Sequence, residues 1–377
     1  MFERVFLLVL DSLGIGGIDN KANTLLHTIG DKYNLDILEL LGLTKLIGKE
    51  EENTRGIYMR VLPQNRFFDS LNGHYEMMCG MPKTDYENYP DGFPLELISK
   101  IQHTIGKEVI GNKKSDGLDI INELGQMHMK TGCPIIYSSD DSVLQVAAHE
   151  DVIPTEELYE ICQQIFDLVK NSEYKIARVI ARPFTGKEGE YTRTSKRRDY
   201  TCDPPINVLD YLDKSHIQTI CIGKVGDLFN NKGISVNIRT KDNIDTMMKV
   251  IDFSKGNFNG LLFANFNDFD SEYGHRKDRE GYLKALEEFN YYLPILLKNL
   301  KKKDLLIITA DHGCDPTLNG SHTKEMVPLL MYCPLFKKGK KMPHRESLSD
   351  IGATILDNFG IKNTIGVGKS IFDDLRN

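Results

Sequence analysis

Short runs of consecutive apolar residues recur along the chain, and each ends at polar or charged residues. The clearest of them lie at 5–10, 219–225, 260–270, 305–313 and 327–334. Strands of a parallel sheet are covered on both faces and therefore read as continuous apolar runs, so this pattern predicts strands of an α/β fold. Amphipathic helical patterns fall between and after them, at about 243–253, 280–300 and 347–359. The C-terminal half of the chain is therefore predicted to alternate strand and helix.

Acidic side chains and histidines follow three of these predicted strands. Asp11 follows the first run, Asp270 closes the third, and Asp311 and His312 close the fourth. The carboxyl ends of parallel strands meet at one edge of a sheet, where such sheets bind their ligands. Converging buried carboxylates would repel one another, and a bound cation would remove that repulsion. Together with two histidines in the adjoining loops, the pattern predicts a metal site formed by Asp11, Asp270, His275, Asp311, His312 and His322.

The mixture of carboxylate and imidazole groups narrows the choice of metal. It suits manganese, zinc or iron better than calcium, and six ligands are enough for two ions. Two adjacent ions stabilise the attacking and leaving oxygens of an in-line phosphoryl displacement, so the set indicates phosphate chemistry. The glycine-rich segment 14–19 is not interpreted as a dinucleotide site, because Asp19 stands where a third glycine is needed and Asp11 would repel a pyrophosphate.

Composition and charge narrow the class of protein further. The 377 residues are enough for two domains, or for one large domain with an insertion. The net charge of −7 argues against a nucleic-acid-binding surface spread over the molecule, and it leaves room for a small basic pocket. The seven cysteines are never spaced as C-x-x-C, which fits reduced thiols. Because the first apolar run is too short for a signal peptide or a membrane span, we expect a cytoplasmic protein that binds no membrane.

Several segments together resemble one enzyme family. VFLLVLDSLGIG, DFDSEYGHRKD and TADHGCDP followed by HTKEMVPLL are similar to segments of the phosphopentomutases. That family belongs to the alkaline phosphatase superfamily, together with cofactor-independent phosphoglycerate mutase. The middle of the chain continues the resemblance in VIGNKKSDGLDIINELG, SSDDSVLQVAAHE, ARVIARPF and YTRTSKRRDY. The resemblance thus covers nearly the whole chain, and its middle segments are specific to phosphopentomutases.

The resemblance implies a fold and a metal content. It implies an alkaline-phosphatase-like α/β core with a mostly parallel central sheet over 1–87 and 206–377, interrupted by a smaller inserted α/β cap domain over 88–205. It further implies two Mn²⁺ ions, for which Zn²⁺ or Mg²⁺ are alternatives. One ion would be held by Asp270, His275 and His322, and the other by Asp11, Asp311 and His312.

The resemblance also implies substrate-binding residues in the cap. Asp141, Arg178 and Arg193 match residues that contact the sugar phosphate in that family. Guanidinium groups suit this role because they bind phosphate in a bidentate manner. Without the family pattern, Arg178 would be interpreted as a salt-bridged strand residue and Arg193 as a solvated loop charge.

The segment of the nucleophile departs from the family pattern. Phosphopentomutases carry a phosphorylated threonine in G-K-D-T-x-T-G-H-W-E, where this chain reads RFFDSLNGHYE over 66–76. Ser70 takes the place of that threonine, and its hydroxyl offers the same nucleophilic atom. Phe67 replaces a glycine, Phe68 a lysine and Asn72 the second threonine, so this segment lacks the family's cation and one hydroxyl. Taken alone, Ser70 would be a turn or cap serine.

The function implied by the resemblance is the interconversion of ribose or 2-deoxyribose 1-phosphate and 5-phosphate. Phosphorylated Ser70 and a 1,5-bisphosphate would be the intermediates, a sugar 1,6-bisphosphate would prime the enzyme, and a monomer is expected. Two alternatives stay open: a diverged metal-dependent phosphatase or mutase acting on another sugar phosphate, and a non-catalytic protein that binds a pentose phosphate. The complete ligand set argues against the latter, because a binding protein has little use for two metals.

Overall fold

The computed structural model of the protein describes residues 1–18, 21–49, 53–65, 68–80, 86–139, 142–170 and 172–375. The chain divides into two compact units. Unit 1 combines the two outer segments, Met1–Pro82 and Pro204–Asn377, and unit 2 is the continuous segment Lys83–Asp203. Unit 2 is therefore an insertion into the chain of unit 1.

Strands and helices alternate along much of the described chain. The strands are β1 (Arg4–Leu10), β2 (Ile57–Val61), β3 (Ile110–Lys114), β4 (Ile135–Ser138), β5 (Val143–His149), β6 (Arg178–Thr185), β7 (Thr192–Arg193), β8 (Arg198–Thr201), β9 (Gln218–Ile222), β10 (Val236–Ile238), β11 (Gly260–Phe266), β12 (Asp304–Thr309), β13 (Val327–Tyr332) and β14 (Lys340–Lys341). The α-helices are α1 (Thr24–Ile29), α2 (Asp36–Leu40), α3 (Ser70–Met77), α4 (Leu95–Ile105), α5 (Gly117–Thr131), α6 (Thr155–Val169), α7 (Val208–Lys214), α8 (Val225–Leu228), α9 (Asn243–Lys255), α10 (Arg279–Asn299) and α11 (Ser349–Asn358).

Unit 1 is built on a mixed sheet with the order β10-β9-β11-β1-β12-β13-β2-β14. The first five strands of this order are parallel to one another. The apolar run at 327–334 was predicted to be another strand of the parallel set, but β13 pairs antiparallel with both β12 and β2. The physical reason lies in the connection: the described residues 310–326 contain no helix, and a parallel neighbour needs a crossover that an antiparallel one does not.

The strand β1 lies at the centre of this sheet, between β11 and β12. Its apolar side chains from Val5 to Leu10 are fully buried. Leu10 lies opposite Phe266 of β11, and Val9 lies opposite Thr309 of β12. Because the three strands are parallel and in register, the residues that follow them emerge at the same edge of the sheet.

The predicted helices of unit 1 are confirmed at Asn243–Lys255, Arg279–Asn299 and Ser349–Asn358. The first two begin at N-cap aspartates, Asp242 and Asp278, whose carboxylates accept hydrogen bonds from backbone N–H groups of the first helical turn. None of the described helices combines the length and the hydropathy needed to cross a membrane.

The run at 260–270 is only in part a strand. The strand β11 ends at Phe266, and Phe269–Gly274 form a π-helical turn. The turn is closed by a hydrogen bond from the backbone N–H of His275 to the carbonyl of Asp270, five residues earlier (3.0 Å). Such turns are rare and occur frequently at functional sites.

Unit 2 has its own sheet, with the order β3-β4-β5-β6-β7 and with β8 also paired to β6. One face packs against α4 and α6 through side chains such as Leu97, Ile161 and Val179. The other packs against α5 through Ile120 and Phe184. Since side chains alternate along a strand, the even-numbered residues of β6 share the face of Phe184.

Candidate metal centre

Four parallel strands of unit 1 deliver charged side chains to one edge of the sheet. Asp11 directly follows β1, Asp270 lies in the π-helical turn after β11, and Asp311 and His312 follow β12. Lys224 follows β9 after a single glycine. Asp268, which also lies in the run at 260–270, has a structural role. It accepts a hydrogen bond from the backbone N–H of Asn243 (2.8 Å) at the start of α9.

The six residues predicted as metal ligands form one continuous cluster. Ligand atoms of Asp11, Asp311 and His312 all lie within 4.8 Å of one another, and so do those of Asp270, His312 and His322. The sixth, His275, places its Nε2 3.3 Å from Asp270 Oδ2. Since His312 belongs to both groups, the side chains are less sharply divided between two ions than the resemblance implies.

The chemistry of the cluster fits a divalent cation. Asp270 Oδ1 and Asp311 Oδ2 are buried and accept no hydrogen bond from the described residues. An acceptor without a donor in such a place costs free energy unless a cation supplies the missing interaction. Carboxylate and imidazole donors together match manganese, zinc and related transition metals.

The charged groups of the cluster shift one another's pKa values. Burial raises the pKa of the Asp11 carboxyl, and the neighbouring Asp311 raises it further. Burial would also raise the pKa of Asp270, but His322 and His275 outweigh it and lower the pKa well below its usual range. Conversely, burial would lower the pKa of His275, and Asp270 raises it to about 12. The carboxylates therefore attract positive charge to this edge of the sheet.

Backbone carbonyls orient the imidazole rings. His275 Nδ1 lies 2.8 Å from the carbonyl oxygen of Gly320, and His312 Nδ1 lies 3.1 Å from that of Gly313. Each carbonyl can only accept, so Nδ1 of each ring carries a proton and Nε2 is the nitrogen that faces the cluster. A bound metal would take the lone pair of Nε2 and displace any proton held there.

The predicted nucleophile Ser70 lies within the cluster. Its Oγ is 3.2 Å from His312 Nε2 and 3.3 Å from Asp11 Oδ1. Ser70 is the first residue of α3, whose N-cap Asp69 accepts a hydrogen bond from the backbone N–H of Asn72 (2.8 Å). The side-chain amide of Asn72 also donates to Asp69, so this substitution of the family's threonine reinforces the helix cap.

A cation that sequence reasoning missed lies beside the nucleophile. Lys224 Nζ donates a hydrogen bond to Ser70 Oγ (2.8 Å) and lies 2.5 Å from Asp11 Oδ2. Burial would lower the pKa of Lys224, but the carboxylates of Asp11, Asp311 and Asp270 outweigh it and raise the pKa above its usual value. Phe68 stands where the phosphopentomutases, which the sequence resembles, have a lysine, and in this chain a positive charge reaches Ser70 from the end of β9. The strand-end argument that found Asp11 applies equally to Lys224, so this signal was present in the sequence.

Two further buried side chains connect the nucleophile with the carboxylates. His74 Nδ1 lies 2.8 Å from the carbonyl oxygen of Ser70 and 3.2 Å from Asp311 Oδ2. Asn265 donates from Nδ2 to Asp11 Oδ2 (2.9 Å), and the same nitrogen lies 3.2 Å from His74 Nε2. The helix that carries Ser70 is thereby joined to both carboxylates. Only the tertiary fold brings these residues together, and no spacing in the sequence points to them.

The buried carboxylate of Glu325 joins the surrounding loops. It accepts hydrogen bonds from the Thr24 hydroxyl (2.6 Å), the Thr323 hydroxyl (2.6 Å) and the backbone N–H of Gly16 (2.8 Å). A Cβ atom at Gly313 would lie 2.4 Å from Glu325 Oε1, so the loop after β12 can approach this carboxylate only with glycine there. Glu325 therefore ties the loop after β1 to the loop that carries His312 and His322.

In unit 2 the structure brings the predicted arginines into a larger group. Asp141 lies outside the described residues. Arg178 Nη1 lies 3.3 Å from Asp199 Oδ2, and Arg193 Nη2 lies 3.5 Å from Tyr137 Oη. The Nε atoms of both arginines are buried and have no hydrogen-bond partner among the described residues.

A third arginine of this group was not predicted. Arg182 shares a face of β6 with Arg178, and its Nε donates to Gln145 Oε1 (2.9 Å). Burial lowers the pKa of Arg182 to about 10, and the like charges of Arg197 and Arg193 act in the same direction. Partly buried arginines with unused N–H groups suit the binding of an anion, above all a phosphate.

The α/β fold and the cluster of carboxylates and imidazoles together describe a metal-binding protein. The sequence model of the Metalloenzyme superfamily matches residues 3–363, so the chain belongs to that superfamily. The fold is alkaline-phosphatase-like, as predicted.

Solved structures resemble the protein over nearly its whole length at low sequence identity. Phosphoglycerate mutase from Leishmania mexicana is 13% identical, with 98% of each chain covered and a TM-score of 0.52. The PH0037 protein from Pyrococcus horikoshii is 14% identical, with coverage of 97% of this chain and 99% of that chain and a TM-score of 0.49. Alkaline phosphatase from the Antarctic bacterium TAB5 is 12% identical, with coverage of 95% and 98% and a TM-score of 0.38.

Proposed function

We propose that this protein is a phosphopentomutase, which interconverts ribose or 2-deoxyribose 1-phosphate and 5-phosphate. One observation carries the proposal: the Ser70 hydroxyl lies among the predicted metal ligands, 3.2 Å from His312 Nε2, and 2.8 Å from a buried lysine amine. Membership of the superfamily supports a metal-dependent enzyme. The choice of a pentose phosphate rests on the segments of unit 2 that resemble phosphopentomutases.

The reaction proceeds in two transfers at Ser70. In the first, the bond between phosphorus and Ser70 Oγ breaks as the free hydroxyl of the bound monophosphate forms a bond to the same phosphorus. The products are a 1,5-bisphosphate and Ser70, which takes up the proton that the sugar hydroxyl loses. After the bisphosphate reorients, Ser70 Oγ forms a bond to the phosphorus of the other phosphate as the bond between that phosphorus and the sugar oxygen breaks. The sugar oxygen takes up the proton of the Ser70 hydroxyl, and the products are phosphoserine and the isomeric monophosphate.

Charges around Ser70 prepare it for both transfers. Lys224 donates to Ser70 Oγ, so it stabilises the negative charge that develops there when the phosphoryl group leaves. Divalent ions bound by the six ligands would lower the pKa of the serine hydroxyl and shield the phosphate charge. His74 Nδ1 donates a hydrogen bond to the Ser70 carbonyl. This bond fixes the first turn of α3 and so the position of Ser70 Oγ.

We assign recognition of the second phosphate to unit 2. Arg178 and Arg193 match the substrate-binding residues of the family, and their buried Nε atoms have N–H groups to donate. Arg182 adds a third guanidinium to the same face of the sheet. The bidentate geometry of guanidinium groups suits the doubly charged phosphate of a pentose phosphate.

The remaining parts of the proposal concern the setting of the reaction. We propose Mn²⁺ as the metal, a sugar 1,6-bisphosphate as the primer, a monomer as the active form and the cytoplasm as the compartment. All seven cysteines are free in the structure, which fits a reducing compartment.

The direct test is mass spectrometry of Ser70 after incubation with Mn²⁺ and a sugar 1,6-bisphosphate. We expect a phosphorylated Ser70 in the wild-type protein and no modification of this peptide in Ser70→Ala. The variant Ser70→Thr is the matched control, because it restores the family's nucleophile and should become phosphorylated. Measurable turnover with an unmodified serine would contradict the phosphoserine mechanism.

A second assay separates a mutase from a phosphatase. Ribose 5-phosphate is supplied with Mn²⁺, and ribose 1-phosphate and inorganic phosphate are both quantified. We expect the 1-phosphate to form faster than inorganic phosphate. If release of inorganic phosphate is the faster reaction, the protein is a metal-dependent phosphatase.

A further inference from the structure

A buried cysteine lies in the metal centre, and the proposed reaction makes no use of it. Ligand atoms of Asp270, His275 and Cys314 all lie within 4.8 Å of one another. Cys314 is fully buried, so its thiol faces the cluster rather than solvent. The six ligands expected from the sequence offer only oxygen and nitrogen, and Cys314 adds sulfur.

The surroundings of Cys314 fix its position. Its backbone N–H donates to the carbonyl of Ser12 (3.1 Å), which anchors the loop after β12 to the loop after β1. Gly274 in the π-helical turn approaches it closely, since a Cβ atom there would lie 3.0 Å from Cys314 Sγ. The thiol donates a hydrogen bond to the carbonyl of Ser321 at the long distance of 3.6 Å. This weak hydrogen bond can be given up to a metal at little cost.

The other two members of the group already have the form of ligands. Asp270 is 6% exposed, and its Oδ1 accepts no hydrogen bond from the described residues. His275 has its Nδ1 at the carbonyl of Gly320, so Nε2 faces the group. A carboxylate oxygen, an imidazole nitrogen and a thiol sulfur therefore surround one point.

This donor set differs in kind from the other end of the cluster. The group of Asp11, Asp311 and His312 has two carboxylates and one imidazole, which are hard or intermediate donors. A thiolate is a soft donor and selects zinc, cobalt or cadmium over manganese and magnesium. The two ends of the centre consequently offer different chemistry to a metal.

We propose that Cys314 Sγ is a ligand of the metal ion bound by Asp270 and His275, and that it makes this end of the centre selective for soft divalent metals. On binding, the thiol releases its proton to solvent and the sulfur donates an electron pair to the metal, with no change of oxidation state. This inference rests on the metal centre proposed above and is independent of the sugar substrate.

Cobalt provides the test, because a sulfur ligand gives Co²⁺ a charge-transfer absorption in the near ultraviolet. Co²⁺ is titrated into metal-free full-length protein, and the spectrum is recorded for the wild type, Cys314→Ser and Cys162→Ser. Cys162 is buried in the core of unit 2 and serves as the matched control. We expect the charge-transfer band in the wild type and in Cys162→Ser, and its loss in Cys314→Ser while the visible Co²⁺ bands remain.

The wild-type spectrum alone tests whether sulfur binds the metal, even if Cys314→Ser fails to fold. Visible Co²⁺ bands without a charge-transfer band would overturn the sulfur ligand and leave the proposed metal centre intact. No Co²⁺ binding at all would overturn both. As an independent measurement, Cys314→Ser should weaken Cd²⁺ binding by about tenfold or more and change Mn²⁺ binding much less; equal weakening of both metals would contradict the proposal.

Discussion

Each unit of this protein brings together charged side chains that are largely of one sign. In unit 1 these are buried carboxylates, and in unit 2 they are partly buried guanidinium groups. Unit 1 brings together the carboxylates Asp11, Asp270 and Asp311, and unit 2 brings together the guanidinium groups of Arg178 and Arg182. Charges of one sign inside a protein are unfavourable unless something of the opposite sign compensates them. Imidazoles and a lysine compensate the carboxylates only in part, and Asp199 does the same for the arginines.

The difference supports the proposed division of binding between the two units. Carboxylates with unused oxygens call for a cation, whereas arginines with unused N–H groups call for an anion. The proposed reaction uses both kinds of group, because it transfers a phosphoryl group with the help of metal ions and acts on a substrate that carries a phosphate. The comparison therefore divides the proposed work between phosphoryl transfer in unit 1 and phosphate recognition in unit 2.

The largest effect should follow from removing a carboxylate of unit 1. Asp311→Asn keeps the shape of the side chain and an oxygen that can accept from Ser12 N–H and His312 N–H, but it removes the negative charge of a predicted ligand. We expect mutase activity to fall about a thousandfold or more, with weaker Mn²⁺ binding by calorimetry. The control is Asp252→Asn, whose side chain is 66% exposed and pairs with Lys255. Unchanged Mn²⁺ binding in Asp311→Asn would remove Asp311 from the ligand set.

The next largest effect should distinguish the role of Lys224 from that of the metal ligands. Lys224→Met should lower kcat by about a hundred- to a thousandfold, because the hydrogen bond to Ser70 Oγ acts on charge that develops during transfer. Mn²⁺ binding should persist, since Met leaves all six ligands in place. Lys255→Met, at an exposed position, should behave as wild type. Loss of Mn²⁺ binding together with activity would show that Lys224 mainly maintains the arrangement of Asp11.

A smaller effect is expected from the arginines of unit 2. Arg182→Gln removes one guanidinium from the sheet face and should raise KM for ribose 5-phosphate by about tenfold, with little change in kcat. Arg198→Gln is the control, because Arg198 is exposed and stacks on Tyr159 and Tyr200. An effect of Arg182→Gln on kcat alone would contradict a role in phosphate recognition.

The smallest effect concerns stability and pH in unit 2. Burial would raise the pKa of Asp199, but Arg197 and Arg178 outweigh it and hold the pKa below the value of the unfolded chain. A carboxyl of this kind stabilises the folded state above its unfolded pKa of about 3.9 and loses that contribution as the pH falls through its folded pKa. Asp199→Asn should therefore lower the urea midpoint at neutral pH and make it vary less below about pH 4. A midpoint as sensitive to acid as that of the control Asp91→Asn would contradict this account.

Most of unit 1 could be predicted from its sequence, because its central strands are buried on both faces. The run at 5–10 became β1, and the helix expected at about 280–300 became Arg279–Asn299. The rule that parallel strands end at one edge of a sheet correctly placed Asp11 and Asp311 together there. It failed for β13, because an apolar run does not reveal the direction of a strand.

The parts that escaped prediction depend on contacts between distant residues. Lys224 follows a strand end as Asp11 does, but a lysine after a glycine resembles an ordinary surface turn. His74 and Asn265 become informative only when β11 and α3 meet. Arg178 and Arg193 of unit 2 were predicted only through resemblance, and Arg182 was missed, because an arginine in a strand is usually interpreted as an ordinary polar residue.

The central position of β1 has a consequence for how the molecule is made. The strand β1 leaves the ribosome long before its partners, because β11 and β12 begin only at Gly260 and Asp304. Unit 2 is complete once residue 203 has emerged, so it should fold before β11 and β12, the partners of β1, have been synthesised. Asp11 and Asp311 then meet late in synthesis, and the metal centre is assembled last. Limited proteolysis of ribosome-bound chains that end after unit 2 should find 83–203 protected and β1 cleaved; early protection of β1 would refute this order.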